Sequence, residues 1–172
     1  YSWFAILALF SWSLADGFLP EQYPGWSAAT YWVIGVVAVL MLFASVLVHE
    51  LAHSLVAKAR GFRVEGITLF ILGGVSNLQA DARHPRDEFF IAAVGPLSSF
   101  LLGGVFWIAL LGFQDRSTPL SALVWYLGFI NVLLGAFNLL PAFPMDGGRV
   151  LRSVVWAATG SLSKATSVAA LG

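Results

Sequence analysis

Cysteine is absent from this chain of 172 residues, and charged side chains make up only 10% of it. The lack of cysteine excludes disulfides, a thiolate metal site and a cysteine nucleophile. Soluble domains typically carry about 25% charged residues, so the shortage of charge argues against a soluble domain. The formal net charge is zero and there is no basic block, so nucleic acid is not an expected partner.

In place of charged residues, the chain contains long apolar runs. Hydrophobic residues make up 59% of the sequence, and the mean hydropathy is +0.83. Runs of about 18 or more mostly apolar residues are long enough to cross the hydrocarbon core of a bilayer. The composition therefore predicts an integral membrane protein with the lipid bilayer as a partner.

The apolar runs predict a single membrane-embedded domain over residues 1–172. Its spans are expected near residues 1–15, 28–57, 88–113 and 119–140, followed by a broken segment over 141–146, a helix over 147–159 and the start of a further span over 165–172. Because the chain begins at Tyr1 and stops as it turns apolar again, it is expected to be a fragment of a longer protein.

Two connections carry local signals. Asp16–Gly25 holds two prolines and two acids, which predicts a loop. Residues 62–80 alternate, with β-branched and aromatic residues around Gly73-Gly74, which predicts a hairpin. The expected fold class is therefore an all-α polytopic membrane protein with a small membrane-associated β-hairpin between the second and third spans.

The basic residues predict the orientation, because cytoplasmic loops retain Lys and Arg. Under the alternating pattern of spans only Arg116 falls on one side. The other side holds Lys58, Arg60, Arg63, Arg83, Arg86, Arg149, Arg152 and Lys164. The end of the second span and Asp146 are therefore expected to face the cytoplasm.

The end of the second span carries an H-E-x-x-H pentapeptide, His49-Glu50-Leu51-Ala52-His53. On a helix, positions i and i+4 lie on one face, so the two imidazoles can bind one metal ion with Glu50 beside it as a candidate general base. The alternative is a pair of interfacial histidines with a snorkelling glutamate. Ionisable groups in a span are costly and usually face a partner or a wet cavity, which favours the metal site.

A catalytic zinc site normally has three protein ligands and one open position, so a third ligand is needed. The candidate is Asp146, which follows the helix-breaking Pro141 and Pro144. Irregular backbone at membrane depth survives only where it lines protein or water, which suits a metal-binding carboxylate. The alternative role for Asp146 is a helix N-cap ahead of Gly147-Gly148.

These residues resemble the site-2 protease family of intramembrane zinc metalloproteases. The resemblance lies in His49-Glu50-Leu51-Ala52-His53, in Asn138 through Arg149, in Ala93-Val94-Gly95-Pro96 and in Gly73-Gly74. It implies that His49, His53 and Asp146 hold one Zn²⁺ ion per chain and that Glu50 is the catalytic base. The connections are too short for an inserted PDZ domain, so the chain resembles the compact branch, some of whose members carry a regulatory C-terminal domain.

The implied activity is hydrolysis of a peptide bond within or near a transmembrane segment of a membrane-protein substrate, as in regulated intramembrane proteolysis. Zn²⁺ lowers the pKa of a bound water to about 7, and Glu50 can accept its proton. A helical substrate must unwind locally, and Asn138 is a candidate catalytic donor to its backbone or to the oxyanion. The alternative for Asn138 is an interhelical hydrogen bond.

Three other classes compete with this interpretation. A prenyl-protein protease shares H-E-x-x-H but is expected to take its third ligand from a glutamate, and Glu21, Glu65 and Glu88 lie in no suitable span. A metal transporter often shows repeated halves with paired broken helices, and only one broken segment is visible. An aspartyl intramembrane protease needs a second membrane-embedded aspartate beside Asp146.

Overall fold

The computed structural model describes residues 2–70, 73–78, 84–142 and 144–170. Most of the described residues are helical. In chain order the elements are α1 (Ser2–Trp12), a π-helical segment (Ser13–Phe18), α2 (Leu19–Gln22), α3 (Ala28–Ala59), β1 (Val64–Phe70), β2 (Gly73–Leu78), α4 (Pro85–Leu110), α5 (Pro119–Asn138), α6 (Asp146–Thr159) and α7 (Leu162–Ala169).

Four helical runs are long and apolar enough to cross a membrane, namely Trp3–Gln22, Ala28–Ala59, Pro85–Leu110 and Pro119–Asn138. Many large apolar side chains on these helices are exposed, among them Leu101, Val105 and Ile108 on α4. Such surfaces suit a lipid environment, where they carry no hydration cost. The chain is an integral membrane protein, as its composition predicts.

The first of these runs is longer than the sequence predicts. A loop is expected over Asp16–Gly25, but the helix continues through the π-helical segment and ends at Gln22. Pro20 follows directly on the π-helical segment, where the α-helical hydrogen-bond pattern is already altered, and the helical run passes through it. The chain turns only at Gly25, whose φ of +99° favours glycine.

The later helix ends differ from the predicted spans by a few residues. The α4 helix begins at Pro85 and α5 ends at Asn138, ahead of the helix-breaking Pro141. The α6 helix begins at Asp146 itself and ends at Thr159, and its C-cap Gly160 adopts the left-handed conformation. Beyond it, α7 is a short helix of 8 residues that begins ahead of the further span expected over 165–172.

The fold class is corrected to all-helical. The membrane part consists of long helices. The predicted class is wrong because it includes a membrane-associated β-hairpin. The segments β1 and β2 pair antiparallel with each other, with Phe70 opposite Gly73 and an irregularity between Val64 and Ile67. A fold class is set by the layers that pack around the core, and two strands alone do not form such a layer. The alternation over residues 62–80 therefore indicates local strand pairing but does not determine the fold class.

Contacts divide the chain into two units. Unit 1 comprises Tyr1–Ser45 and Leu102–Asn131, and unit 2 comprises Val46–Leu101 and Val132–Gly172. The core of unit 1 is apolar and consists of Leu14, Ala15, Leu19, Tyr31, Ala38, Val39, Leu123 and Leu127. The H-E-x-x-H pentapeptide and Asp146 both belong to unit 2.

Candidate metal centre

The two histidines of the pentapeptide lie in the last three turns of α3 and are buried. His49 and His53 are each 3% exposed, and Glu50 between them is 5% exposed. Because i and i+4 share a helix face, the rings meet, with centroids 4.9 Å apart and Nε2 atoms 3.1 Å apart. Interfacial surface histidines would not be buried in this way.

Asp146 meets the same two nitrogen atoms. Its Oδ2 lies 3.0 Å from Nε2 of His49 and 3.1 Å from Nε2 of His53. The N-cap of α6 is Met145, no side chain caps the helix, and Asp146 is the first helical residue. The carboxylate is therefore directed at the histidines, and the N-cap alternative is not adopted.

The irregular segment after α5 sets this position of Asp146. The backbone makes single turns, with the N–H of Ala142 donating to Leu140 O and that of Met145 donating to Ala142 O. A Cβ on Gly147 would overlap the carbonyl groups of Leu139 and Leu140. Only glycine therefore lets α6 begin directly against this turn, which brings the preceding Asp146 to the end of α3.

The carboxylate of Asp146 is largely buried, with 12% of the side chain exposed. Burial alone would raise its pKa, but the hydrogen bonds and charges of His49 and His53 outweigh burial and lower the pKa of Asp146 to about 2. The group is therefore ionised at neutral pH, as a metal ligand must be.

Helix α4 packs directly against the two imidazoles. A Cβ built on Gly95 would lie 2.6 Å from Nε2 of His49 and closer still to His53. One turn to either side, Ile91 O lies 2.6 Å from Nδ1 of His53 and Ser99 Oγ lies 2.9 Å from Nδ1 of His49. In the sequence, Gly95 belongs to a motif of the family resemblance, and its spacing of four from Ser99 fits helix packing against any neighbour, so neither signal places these two residues at the histidines.

The sequence also misses an ion pair that joins α6 to α4. Nε of Arg152 donates to Oε1 of Glu88 at 2.6 Å, and a second guanidinium nitrogen contacts the same oxygen. Glu88 is 0% exposed. Because Asp146 begins the helix that Arg152 anchors, this pair holds α6 against α4, the helix that contacts both imidazoles.

Truncating Arg152 should therefore destabilise the protein strongly. Arg152→Ala leaves the Glu88 carboxylate buried without this partner, which typically costs about 3–5 kcal/mol. The matched control is Arg60→Ala, since Arg60 pairs with the neighbouring Asp87 at 2.7 Å but is 35% exposed, and exposed pairs contribute about 0–1 kcal/mol. The measurement is the free energy of unfolding in detergent. Equal losses of unfolding free energy in both variants would show that the buried pair contributes no more to stability than the exposed pair.

Asn138 is the remaining predicted site residue. Nδ2 of Asn138 donates to Leu134 O of its own helix at 2.9 Å; within the described residues no hydrogen bond joins it to the histidines or Asp146. The third histidine of the chain, His84, is exposed ahead of α4. The structure thus brings together His49, His53 and Asp146, while the role of Asn138 stays a prediction.

The cluster fits a metal ion by the chemistry of its donors. One ligand atom from each of His49, His53 and Asp146 lies within 4.8 Å of the other two. Two imidazole nitrogens and one carboxylate oxygen form a common catalytic zinc set and leave a fourth position for water. The fold and the site together define a polytopic membrane protein with a histidine and carboxylate metal centre.

Comparison with known proteins places this centre in a family. The sequence profile described as Peptidase family M50 matches residues 37–118 and 115–171. The chain is 41% identical to the protein sll0528 of Synechocystis over 98% of this chain and 44% of that protein. It is 44% identical to a zinc metalloprotease of Methanocaldococcus jannaschii over 76% of this chain and 38% of that protein. The chain thus spans less than half the length of these curated relatives.

A solved structure agrees with the sequence matches. The site-2 protease from Methanocaldococcus jannaschii superposes with a TM-score of 0.60 at 36% identity, over 95% of this chain and 70% of that one. This chain belongs to peptidase family M50, the site-2 protease family. The resemblance inferred from the sequence motifs is confirmed.

Proposed function

We propose that this chain is the catalytic membrane domain of a zinc endopeptidase that cleaves a peptide bond within or near a transmembrane segment. The observation that carries the proposal is the convergence of His49 Nε2, His53 Nε2 and Asp146 Oδ2 at 3.0–3.1 Å. The donor set agrees with the predicted cofactor, one Zn²⁺ per chain, and a relative is named a zinc metalloprotease.

The side chains supply the binding and proton-transfer parts of the reaction. Zinc, when bound, provides Lewis acidity and makes water more acidic. Glu50, adjacent to His49 on α3, accepts a proton from the attacking water and delivers it to the leaving nitrogen. Burial of Glu50 and both histidines keeps bulk water away from these groups, which strengthens their electrostatic interactions.

The proposed substrate is a transmembrane segment that has unwound locally, because a helix keeps its carbonyl groups in internal hydrogen bonds. Asn138 is proposed to donate to the freed backbone or to the oxyanion. Its Nδ2 donates to the carbonyl of Leu134 at 2.9 Å, so the second hydrogen of the amide is the one available for substrate. We propose regulated intramembrane proteolysis as the setting of this reaction.

Asp146 also favours this activity over that of a prenyl-protein protease, which is expected to use a third glutamate ligand. Of the other glutamates, Glu21 is exposed and Glu88 pairs with Arg152. Neither belongs to the cluster of possible metal ligands found among the described residues.

Cleavage of a synthetic transmembrane peptide tests the activity. The purified chain and the peptide are reconstituted together in liposomes, and products are identified by mass spectrometry. We expect cleavage within or next to the apolar segment, loss of cleavage after zinc is removed with a chelator, and recovery when zinc is returned. Cleavage that persists without zinc would contradict the proposal.

We further propose that the metal centre lies toward the cytoplasmic side, on the basis of the basic residues. Arg63, just beyond α3, and Gln114, between α4 and α5, are both exposed. A single cysteine at Arg63 should react with a membrane-impermeant reagent only from the cytoplasmic face, and one at Gln114 only from the opposite face. The chain has no native cysteine to interfere. Reversed labelling would overturn the orientation.

A further inference from the structure

Both histidines of the metal centre have their second ring nitrogen bound to α4. Nδ1 of His53 lies 2.6 Å from the carbonyl oxygen of Ile91. Nδ1 of His49 lies 2.9 Å from the hydroxyl of Ser99. The two contacts lie one turn to either side of Gly95, the residue that lets α4 approach both rings.

The contact of His53 decides which nitrogen of its ring carries the hydrogen, and the contact of His49 allows the same arrangement. A carbonyl oxygen only accepts, so Nδ1 of His53 must donate to Ile91, and its Nε2 lone pair is free for a metal. A hydroxyl can accept in the same way. When Nδ1 of His49 donates to Ser99 Oγ, the Nε2 lone pair of His49 is directed at the same point.

We propose that Ser99 is a positioning residue for the metal, which fixes the tautomer and the ring orientation of His49. The inference rests on the zinc chemistry proposed above. Ser99 is 0% exposed, so no bulk water replaces its hydroxyl. Partners of this kind orient a ligating histidine and raise its basicity. Ile91 does the same for His53 through its backbone, which no substitution removes, so Ser99 is the side chain that can be tested.

A simpler explanation is that Ser99 is present only because it is small. Gly95, Ser99 and Gly103 recur at intervals of four, the spacing of a close-packed helix face. The two explanations differ in what they require of residue 99. Packing requires a small volume, whereas positioning requires a hydroxyl oxygen at the distance observed.

Threonine and valine separate these requirements, because they share a shape and differ in the hydroxyl. The zinc dissociation constant of the purified chain in detergent is measured by competition with a chromophoric chelator. Ser99→Val should weaken zinc binding about 10–100-fold, the range for loss of an outer partner, while Ser99→Thr stays within about threefold of the unaltered chain. Ser99→Ala adds no volume and should weaken zinc binding as much as Ser99→Val does. It therefore provides the test if the Ser99→Val variant does not fold.

Ser98→Ala is the matched control. The hydroxyl of Ser98 donates to Gly95 O of its own helix at 2.7 Å, so its loss should leave zinc binding unchanged. The proposal is overturned if Ser99→Thr weakens zinc binding as much as Ser99→Val or Ser99→Ala, or if Ser98→Ala has the same effect. An unaltered chain that binds no zinc would instead refute the proposed function, and this inference with it.

Discussion

Replacing Glu50 with glutamine is expected to abolish peptide cleavage while the chain keeps about one zinc ion. Glutamine has nearly the shape of glutamate but cannot accept the proton of the attacking water. General-base catalysis typically contributes a factor of about 10²–10⁴, so cleavage should fall at least that far. Glu50 is adjacent to His49 and buried, yet it stands outside the cluster of His49, His53 and Asp146.

Alanine at the proposed ligands should behave differently. His49→Ala, His53→Ala and Asp146→Ala each remove one of the three converging donor atoms, so each should lose both zinc and cleavage. Zinc content is measured by elemental analysis of the same preparations used for cleavage. Full turnover by Glu50→Gln would refute its role as the base, and loss of zinc from that variant would make Glu50 a ligand instead.

A single methyl group at Gly95 is expected to destroy the metal centre. The added Cβ would lie 2.6 Å from Nε2 of His49 and closer to Nε2 of His53, so both rings must leave the positions in which they meet Asp146. Coordination distances tolerate only about 0.2 Å. We expect zinc affinity to fall by more than about 100-fold, beyond the usual effect of an outer-shell change.

Gly104 provides the control for this substitution on the same helix. A Cβ on Gly104 meets nothing within 4 Å, so Gly104→Ala should keep zinc binding and cleavage. Replacing glycine by alanine in a helix also stabilises it by up to about 1 kcal/mol, so a loss specific to Gly95→Ala cannot come from helix propensity. Normal zinc affinity in Gly95→Ala would contradict the close approach of α4 to the histidines.

Much of the candidate site is predictable because two of its residues, His49 and His53, are close together in the sequence. Spacing alone places His49 and His53 on one face of a helix, and an aspartate after two prolines predicts a donor at a break in the chain. The support from α4 is not predictable in this way. Gly95 and Ser99 show the same spacing whichever helix they face, and only the packed structure shows that they face the two imidazoles.

The fold shows the same division between local and long-range information. Long apolar runs predict the spans because bilayer thickness fixes their length. The loop expected over Asp16–Gly25 is wrong because the helical run passes through Pro20, which follows directly on the π-helical segment. The pair Glu88 and Arg152 is 64 residues apart in sequence, and no local pattern connects an acid at the beginning of one helix with an arginine on another.

X-ray absorption at the zinc edge tests the central claim most directly. For the purified chain we expect about one zinc per protein, bound by two imidazole nitrogens and one carboxylate oxygen at roughly 2.0–2.2 Å, with a further light donor. The two-imidazole signature should be lost in His49→Ala and His53→Ala. A chain that binds no zinc, or a zinc spectrum unchanged in those variants, would contradict the account.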